Sequence, residues 1–312
     1  MLRDNRKRLL CQCRPVQSIF DIPDADSFFF DMYGVLWNGI SLYDHVADVL
    51  LQLRKQKKKV YILSNQTVVR EYFIQNRAKQ GLIIGTHYDD VIPSGEVCLD
   101  ALKNGLLEQL AGHLNYRLYQ VGLHNQALFQ SFESYLTDDI HQADMIYIGS
   151  LPAESKYQLD AKLMNILTEA LERKLPAICA NPDVYVMSGT EKCYAQGAAA
   201  RWYELQGGSV VWFGKPDIKT YQYALKQTES EIDTSIMVGD MLATDIYGAN
   251  RIGMRSVLVT ETGISGFDMR TQKLNIREFI QQCAQSDQIP VSDFMPTYIM
   301  PCVGIERSKI DR

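Results

Sequence analysis

The sequence has no run of about 18 uninterrupted apolar residues, so no segment reads as a membrane-spanning helix. It has no CxxC pair. Its seven cysteines fall at 11, 13, 98, 179, 193, 283 and 302. An odd number, scattered over a long chain, argues against a disulfide framework and against a four-ligand zinc site. Reduced thiols, several of them buried as small apolar groups, and a cytoplasmic setting are expected instead. There is no basic excess: 32 Lys and Arg stand against 37 Asp and Glu, a formal net charge of −5. That balance argues against a dedicated nucleic-acid binder and leaves room for a small anionic substrate held at a local positive site. Internal repeats, low-complexity tracts and long linkers are also missing. The start of the chain, MLRDNRKRLLCQCRP, is basic but lacks an apolar stretch of secretory type, and is expected to be a solvated leader.

What is present is an ordinary globular composition. Hydrophobic residues make up 46% and charged residues 22% of 312 positions, enough for one large domain or two. Strand and helix patterns alternate. Residues 27–33 (SFFFDMY) and 59–66 (KVYILSNQ) read as buried strands, with an amphipathic helix over 45–56 between them. VIPSGE (91–96) reads as a short strand turning into a helix. RLYQVG, MIYIGS and PAICAN form a second set of strands, with a helix expected over 155–173. The first series then resumes in SVVWFGKPD (209–217), SIMVGD (235–240) and MRSVLVT (254–260), and a last strand is expected at 297–300. Alternation of this kind predicts an α/β fold: a Rossmann-like three-layer parallel-sheet core with an inserted smaller α/β cap domain. The expected divisions are 20–112 and 190–285 for a discontinuous core, 113–189 for the cap, and 1–19 and 286–312 as terminal extensions.

Four motifs carry chemistry. In FFFDMYGVLWNG, Asp31 ends an apolar strand and Gly34 opens a turn. Ligands of open α/β sheets bind at such strand ends, so Asp31 is a nucleophile, a metal ligand or a helix cap. In SIMVGDMLATDIYGAN, Asp240 also ends a strand, Asp245 lies five residues on, and Thr244 is placed to cap the next helix. Strand-end carboxylates that converge suit Mg²⁺. In VYILSNQT, Ser64 and Asn65 offer a hydroxyl and an amide for a phosphate oxygen; an ordinary polar turn is the alternative. In WFGKPD, Lys215 between Gly214 and Pro216 is either a fixed charge for a phosphoryl group or a surface lysine in a turn. Asn181 and Asp183 in ANPD read chiefly as a turn near the cap junction.

In this order and at these strand ends, the four motifs resemble the haloacid dehalogenase-like (HAD) hydrolase superfamily over about residues 25–285. With SGE (94–96), ANPD (180–183) and YAQGAAARWYELQGG (194–208), the chain is similar to class IIA, the phosphatase type with an α/β cap. The resemblance implies an Mg²⁺-dependent hydrolase acting on a small phosphorylated metabolite. Asp31 would attack phosphorus to give an aspartyl-phosphate that water then hydrolyses. Ser64, Asn65 and Lys215 would bind phosphate, and Asp31, the carbonyl of Tyr33, Asp240 and Asp245 would hold the metal. No nucleic-acid or membrane partner is implied, and a homodimer is left open.

One position departs from the pattern. Phosphatases of the superfamily usually carry a second aspartate two residues after the nucleophile, as general acid and base. Here that position is Tyr33. A phenol, with a reference pKa near 10 against about 3.9 for aspartate, is a poor base at neutral pH, so slow turnover is expected. Two alternatives stay open at this point. Asp-x-Tyr-Gly is similar to the metal-free 2-haloacid dehalogenases of the same superfamily, and an impaired module that only binds a phosphorylated ligand would keep the same residues.

Overall fold

The structure, a computed structural model, describes residues 13–304. The basic leader up to residue 12, and residues 305–312, lie outside the described residues. In chain order the strands are β1 (Arg14–Pro15), β2 (Ser27–Phe30), β3 (Lys59–Ser64), β4 (Asp90–Pro93), β5 (Leu118–Val121), β6 (Leu136–Thr137) and β7 (Met145–Ile148). They continue with β8 (Ala177–Cys179), β9 (Tyr185–Ser188), β10 (Glu191–Tyr194), β11 (Val210–Trp212), β12 (Ser235–Gly239), β13 (Arg255–Val259) and β14 (Tyr298–Met300). Seven of them make one sheet in the order β1-β14-β13-β12-β2-β3-β4, every pairing parallel.

The run of phenylalanines in β2 follows from its central place. Side chains alternate across a strand, and both faces of this sheet are covered. Phe28 and Phe30 enter a cluster with Val46, Leu50 and Leu53 of helix Val46–Lys55. Phe29 enters the opposite cluster with Tyr61, Tyr221 and Met237. A second parallel sheet of five strands runs β11-β8-β7-β5-β6. It repeats the rule: Ile146 and Ile148 pack with Leu163 and Leu167 of helix Ala161–Glu172, and Met145 and Tyr147 with Phe129 on the other face. The antiparallel hairpin β9–β10 stands apart from both sheets. The α/β core with an inserted, smaller α/β cap sheet is therefore what the chain builds.

Several sequence expectations are corrected. The sequence pattern puts residues 209–217 with the core that resumes at 190, but β11 pairs with β8 in the cap sheet. Helix Gln196–Leu205 also packs there, through Ala199, Ala200 and Tyr203. An apolar triplet such as VVW does not say which sheet edge it will join; the edge is settled by what lies beside it. The tail after 285 and the segment before 20 are not mere extensions, because β14 and β1 extend the core sheet past β13. The helix expected from 155 starts at Ala161, where Asp160 accepts the N–H groups of Lys162 and Leu163 and so fixes the first turn. Among the described residues no helix is long and apolar enough to cross a membrane.

Candidate active site

Asp31 follows β2, and its N–H donates to Val238 O of β12 at 2.8 Å, so sheet pairing holds the residue as far as the strand tip. Asp240 follows β12 directly, and Ser64 ends β3, the other neighbour of β2. Parallel order brings these three strand ends to one edge of the sheet. Oxygen atoms of Asp31, Asp240 and Asp245 all lie within 4.8 Å of one another. Lys215 Nζ donates to Asp31 Oδ1 at 2.7 Å and to Asp245 Oδ1 at 2.6 Å. With 1% of its surface exposed, Lys215 is a buried ammonium, which removes the surface-turn alternative.

The supports of these groups are specific. Asp240 Oδ2 accepts the N–H of Ile264 at 2.5 Å. Gly34 and Gly263 are left-handed, at φ +82° and +64°; a Cβ would lie 2.5 Å from Asp240 Oδ2 at the first position and 2.0 Å at the second. Both glycines thus form a cradle that closes only without side chains. Asp245 sits in a π-helical turn, Leu242–Ile246, and its Oδ2 accepts the N–H of Met241 at 3.0 Å. Thr244, expected as a cap, does not serve as one; Asp245 takes the free amide.

Asn65 has a different task from the one expected. Its Oδ1 accepts the N–H of Lys215 at 2.7 Å, and its Nδ2 donates to Lys215 O at 3.1 Å and to Asp183 Oδ1 at 2.9 Å. The amide clamps the lysine loop, so both of its polar atoms are already engaged within the protein. Ser64 Oγ accepts the N–H of Gln66 at 3.3 Å. Asp183 is both a turn residue, its N–H donating to Asn181 Oδ1 at 2.8 Å, and a member of the site's outer ring. Its link to Asn65, 118 positions away, has no local signal beyond ANPD itself. The hydroxyl of Tyr33 accepts from Gln66 Nε2 at 3.4 Å and lies beside the guanidinium of Arg77. Neither Gln66 nor Arg77 stood out in the sequence.

Charge is unbalanced here. Three carboxylates share one ammonium. Burial pushes Asp31 up to about 7, against the pull of Lys215. Burial, with Asp245 and Asp31 nearby, pushes Asp240 well above the carboxylate range. Burial likewise carries Asp183 to about 6. Burial alone would lower Lys215, but Asp245 and Asp31 outweigh it and hold the ammonium charged. Hard oxygen donors with surplus negative charge are the donor set of a divalent cation such as Mg²⁺, so these residues fit one.

Comparison with known proteins agrees in family and fold. A family model described as haloacid dehalogenase-like hydrolase matches residues 28–124, and a HAD-hydrolase-like model matches 212–277. Phosphoglycolate phosphatase 2 of Arabidopsis thaliana is 24% identical over 272 residues, covering 80% of this chain and 86% of that protein. The acid sugar phosphatase of Staphylococcus epidermidis is 23% identical over 245 residues, covering 78% and 88%. The crystal structure of a haloacid dehalogenase-like hydrolase from Brucella suis 1330 shares the fold with a TM-score of 0.73 at 21% identity, over 92% of this chain and 99% of that one.

Proposed function

The chain belongs to the haloacid dehalogenase-like hydrolase family, in its class with an α/β cap, and on that premise we propose that it is a phosphatase of small phosphorylated metabolites. The observation that carries this reading is the buried cluster of Asp31, Asp240, Asp245 and Lys215 at the strand ends. The names of the phosphoglycolate and acid sugar phosphatases support a small, anionic or sugar-like phosphate ester. Halide displacement from a 2-haloacid, which needs no metal, gives no reason for three crowded carboxylates.

In the proposed reaction an oxygen of Asp31 attacks phosphorus, the bond from phosphorus to the ester oxygen breaks, and the leaving oxygen takes its proton from water. The aspartyl-phosphate is then cleaved by water, returning the carboxylate and releasing phosphate. Lys215 neutralises charge on the transferring group, and Ser64 offers its hydroxyl to a phosphoryl oxygen. Asn65 keeps Lys215 in place through both of its backbone groups. Asp31, Asp240 and Asp245, with the carbonyl of Tyr33, are the proposed Mg²⁺ ligands. When bound, the ion supplies positive charge that stabilises the transferring phosphoryl group. Asp31 attacks as a carboxylate, a form that burial disfavours and that the adjacent Lys215 ammonium favours.

Tyr33 sets the character of the reaction we propose. Its oxygen is engaged by Gln66, and at this position the leaving group would meet a phenol in place of a carboxylic acid. General acid help is typically worth about 10²–10⁴-fold. Aryl phosphates, which leave with little protonation, should therefore be cleaved well and alkyl phosphates slowly. The test is hydrolysis of p-nitrophenyl phosphate and of an alkyl phosphate, with and without Mg²⁺, by wild type and Tyr33→Asp. The expected result is Mg²⁺-dependent turnover, with the substitution raising the alkyl rate more than the aryl rate. Halide release from a 2-haloacid without phosphate hydrolysis would overturn the reading. Ligand binding with no turnover at all would leave only the binding module.

A cytoplasmic location and a homodimer belong to the same proposal. Cys98 and Cys179 are buried thiols, in keeping with a reducing compartment. Leu114 and Leu205 are exposed apolar side chains, 74% and 75% accessible, that a second copy would cover. Sedimentation of the purified chain tests the dimer.

A further inference from the structure

Arg77 is 8% exposed and carries a charge that no carboxylate offsets among the described residues. It lies one turn after Phe73 on the buried side of helix Arg70–Ala78, a stripe where an apolar residue is the default. Its guanidinium carbon sits 4.6 Å from the ring centre of Trp37 and 5.6 Å from that of Phe73. Nη1 donates to Gln80 Oε1 at 2.6 Å, while Nε has no partner. The ionisable groups beside it are the phenols of Tyr33 and Tyr88. An unpaired buried cation is costly, and a buried N–H without a partner adds to that cost. Such a group invites a reason for its position.

The reason lies in what Arg77 and Gln66 share. Gln66 Nε2 donates to Tyr33 Oη at 3.4 Å. Gln66 is itself anchored: its carbonyl accepts from Ser94 Oγ at 3.0 Å and from the N–H of Gly95 at 3.1 Å. The guanidinium lies over the rings of Trp37 and Phe73, which restricts where its N–H groups aim. Gln66 thus donates to the phenolic oxygen of the side chain two residues after Asp31, and the guanidinium of Arg77 lies beside that phenol.

We propose that Arg77 is a positioning residue for Tyr33: with Gln66 it holds in one orientation the phenol that lies two residues after the proposed nucleophile Asp31. The proposal rests on the phosphatase reading for its role in turnover, though not for the contact itself. Arg77 touches no substrate; it acts through the Tyr33 oxygen.

A double-mutant cycle tests this. Arg77→Met keeps a long, pliant apolar chain between the two rings, Arg77→Lys keeps the charge, and Tyr33→Phe removes the oxygen through which Arg77 is argued to act. Arg77→Met should lower kcat for p-nitrophenyl phosphate roughly tenfold with KM little changed, because a loosened Tyr33 disturbs the alignment at the neighbouring Asp31. In the Tyr33→Phe background the same substitution should change kcat less than about twofold. Arg77→Lys should recover part of the loss. Equal losses in both backgrounds, tracking a fall in melting temperature, would overturn the proposal and make Arg77 a packing residue. If wild type cleaves no phosphate ester, the phosphatase reading fails on its own, and the cycle is read in melting temperatures. Non-additive shifts would then support the Arg77–Tyr33 coupling, and additive ones would overturn it.

Discussion

Asp31 and Lys215 are neighbours with opposite consequences when removed. Asp31→Asn keeps the shape but loses the nucleophile, so hydrolysis should vanish. It also takes one charge out of a crowded group of carboxylates, while Lys215 keeps Asp245 as its partner. The metal-free variant should therefore melt no lower than wild type in a thermal scan at neutral pH. Wild-type turnover by the purified variant would end the nucleophile assignment. Lys215→Met does the reverse. It removes the ammonium that lies 2.7 and 2.6 Å from Asp31 and Asp245 and leaves their carboxylates buried without it. Breaking a buried pair in this way costs about 3–5 kcal/mol. The variant should lose stability as well as turnover in denaturant titration, and added Mg²⁺ should restore part of the stability. Unchanged stability would mean that the carboxylates do not depend on this ammonium.

At the scale of elements, the hairpin β9–β10 joins the cap to the loop that follows Asp31. Gly189 N donates to Asn38 O at 2.9 Å. Lys192 Nζ donates to both oxygens of Asp268, each at 2.8 Å, on the core helix Gly263–Gln272, the helix whose Ile264 N–H holds Asp240. Lys192 also lies over the ring of Tyr185, at 4.4 Å, which stacks on Tyr194. The ion pair thus fastens a cap element to the part of the core that positions a proposed metal ligand. Asp268→Asn should loosen the hairpin with a global cost of about 1 kcal/mol or less, the ordinary scale for a partly exposed pair. Hydrogen exchange over 185–194 should rise while the core sheet stays protected. Unchanged exchange there would show that the hairpin is held by its packing and not by the ion pair.

For the whole molecule, the buried acids tie stability to pH and metal. Asp31 is raised to about 7 and Asp183 to about 6, both by burial. An unfolded aspartate titrates near 3.9. Between those values the folded state holds more protons than the unfolded one, so these groups make stability fall as pH rises. Their contribution is fully present below about pH 4 and lost by about pH 7. A divalent cation relieves the same charge, and its binding adds to stability by mass action. The rise in melting temperature on adding Mg²⁺ should therefore be small at pH 5 and larger at pH 8. A rise that is constant with pH, or absent, would count against a metal on these carboxylates.

The sequence by itself determined the α/β class and the strand ends that carry Asp31, Ser64 and Asp240. Two-sided burial writes a continuous apolar run such as SFFF, and an acid or hydroxyl directly after such a run is visible without coordinates. The chain's resemblance to the superfamily also raised the expectation that Tyr33 stands where an aspartate is usual. Tertiary structure alone decided what has no local spelling. β11 joined the cap sheet because the edge of β8 was beside it, and β14 widened the core from a tail with little pattern. Asn65 became the clamp of a lysine loop 150 positions away, and Asp183 its neighbour across the cap junction. Arg77 carries no local signal that sets it apart from surface charges, and only folding against Trp37 and Phe73 buried it beside Tyr33. Strand periodicity is a property of neighbouring residues and survives in the chain. A hydrogen bond between distant segments exists only after both have been packed.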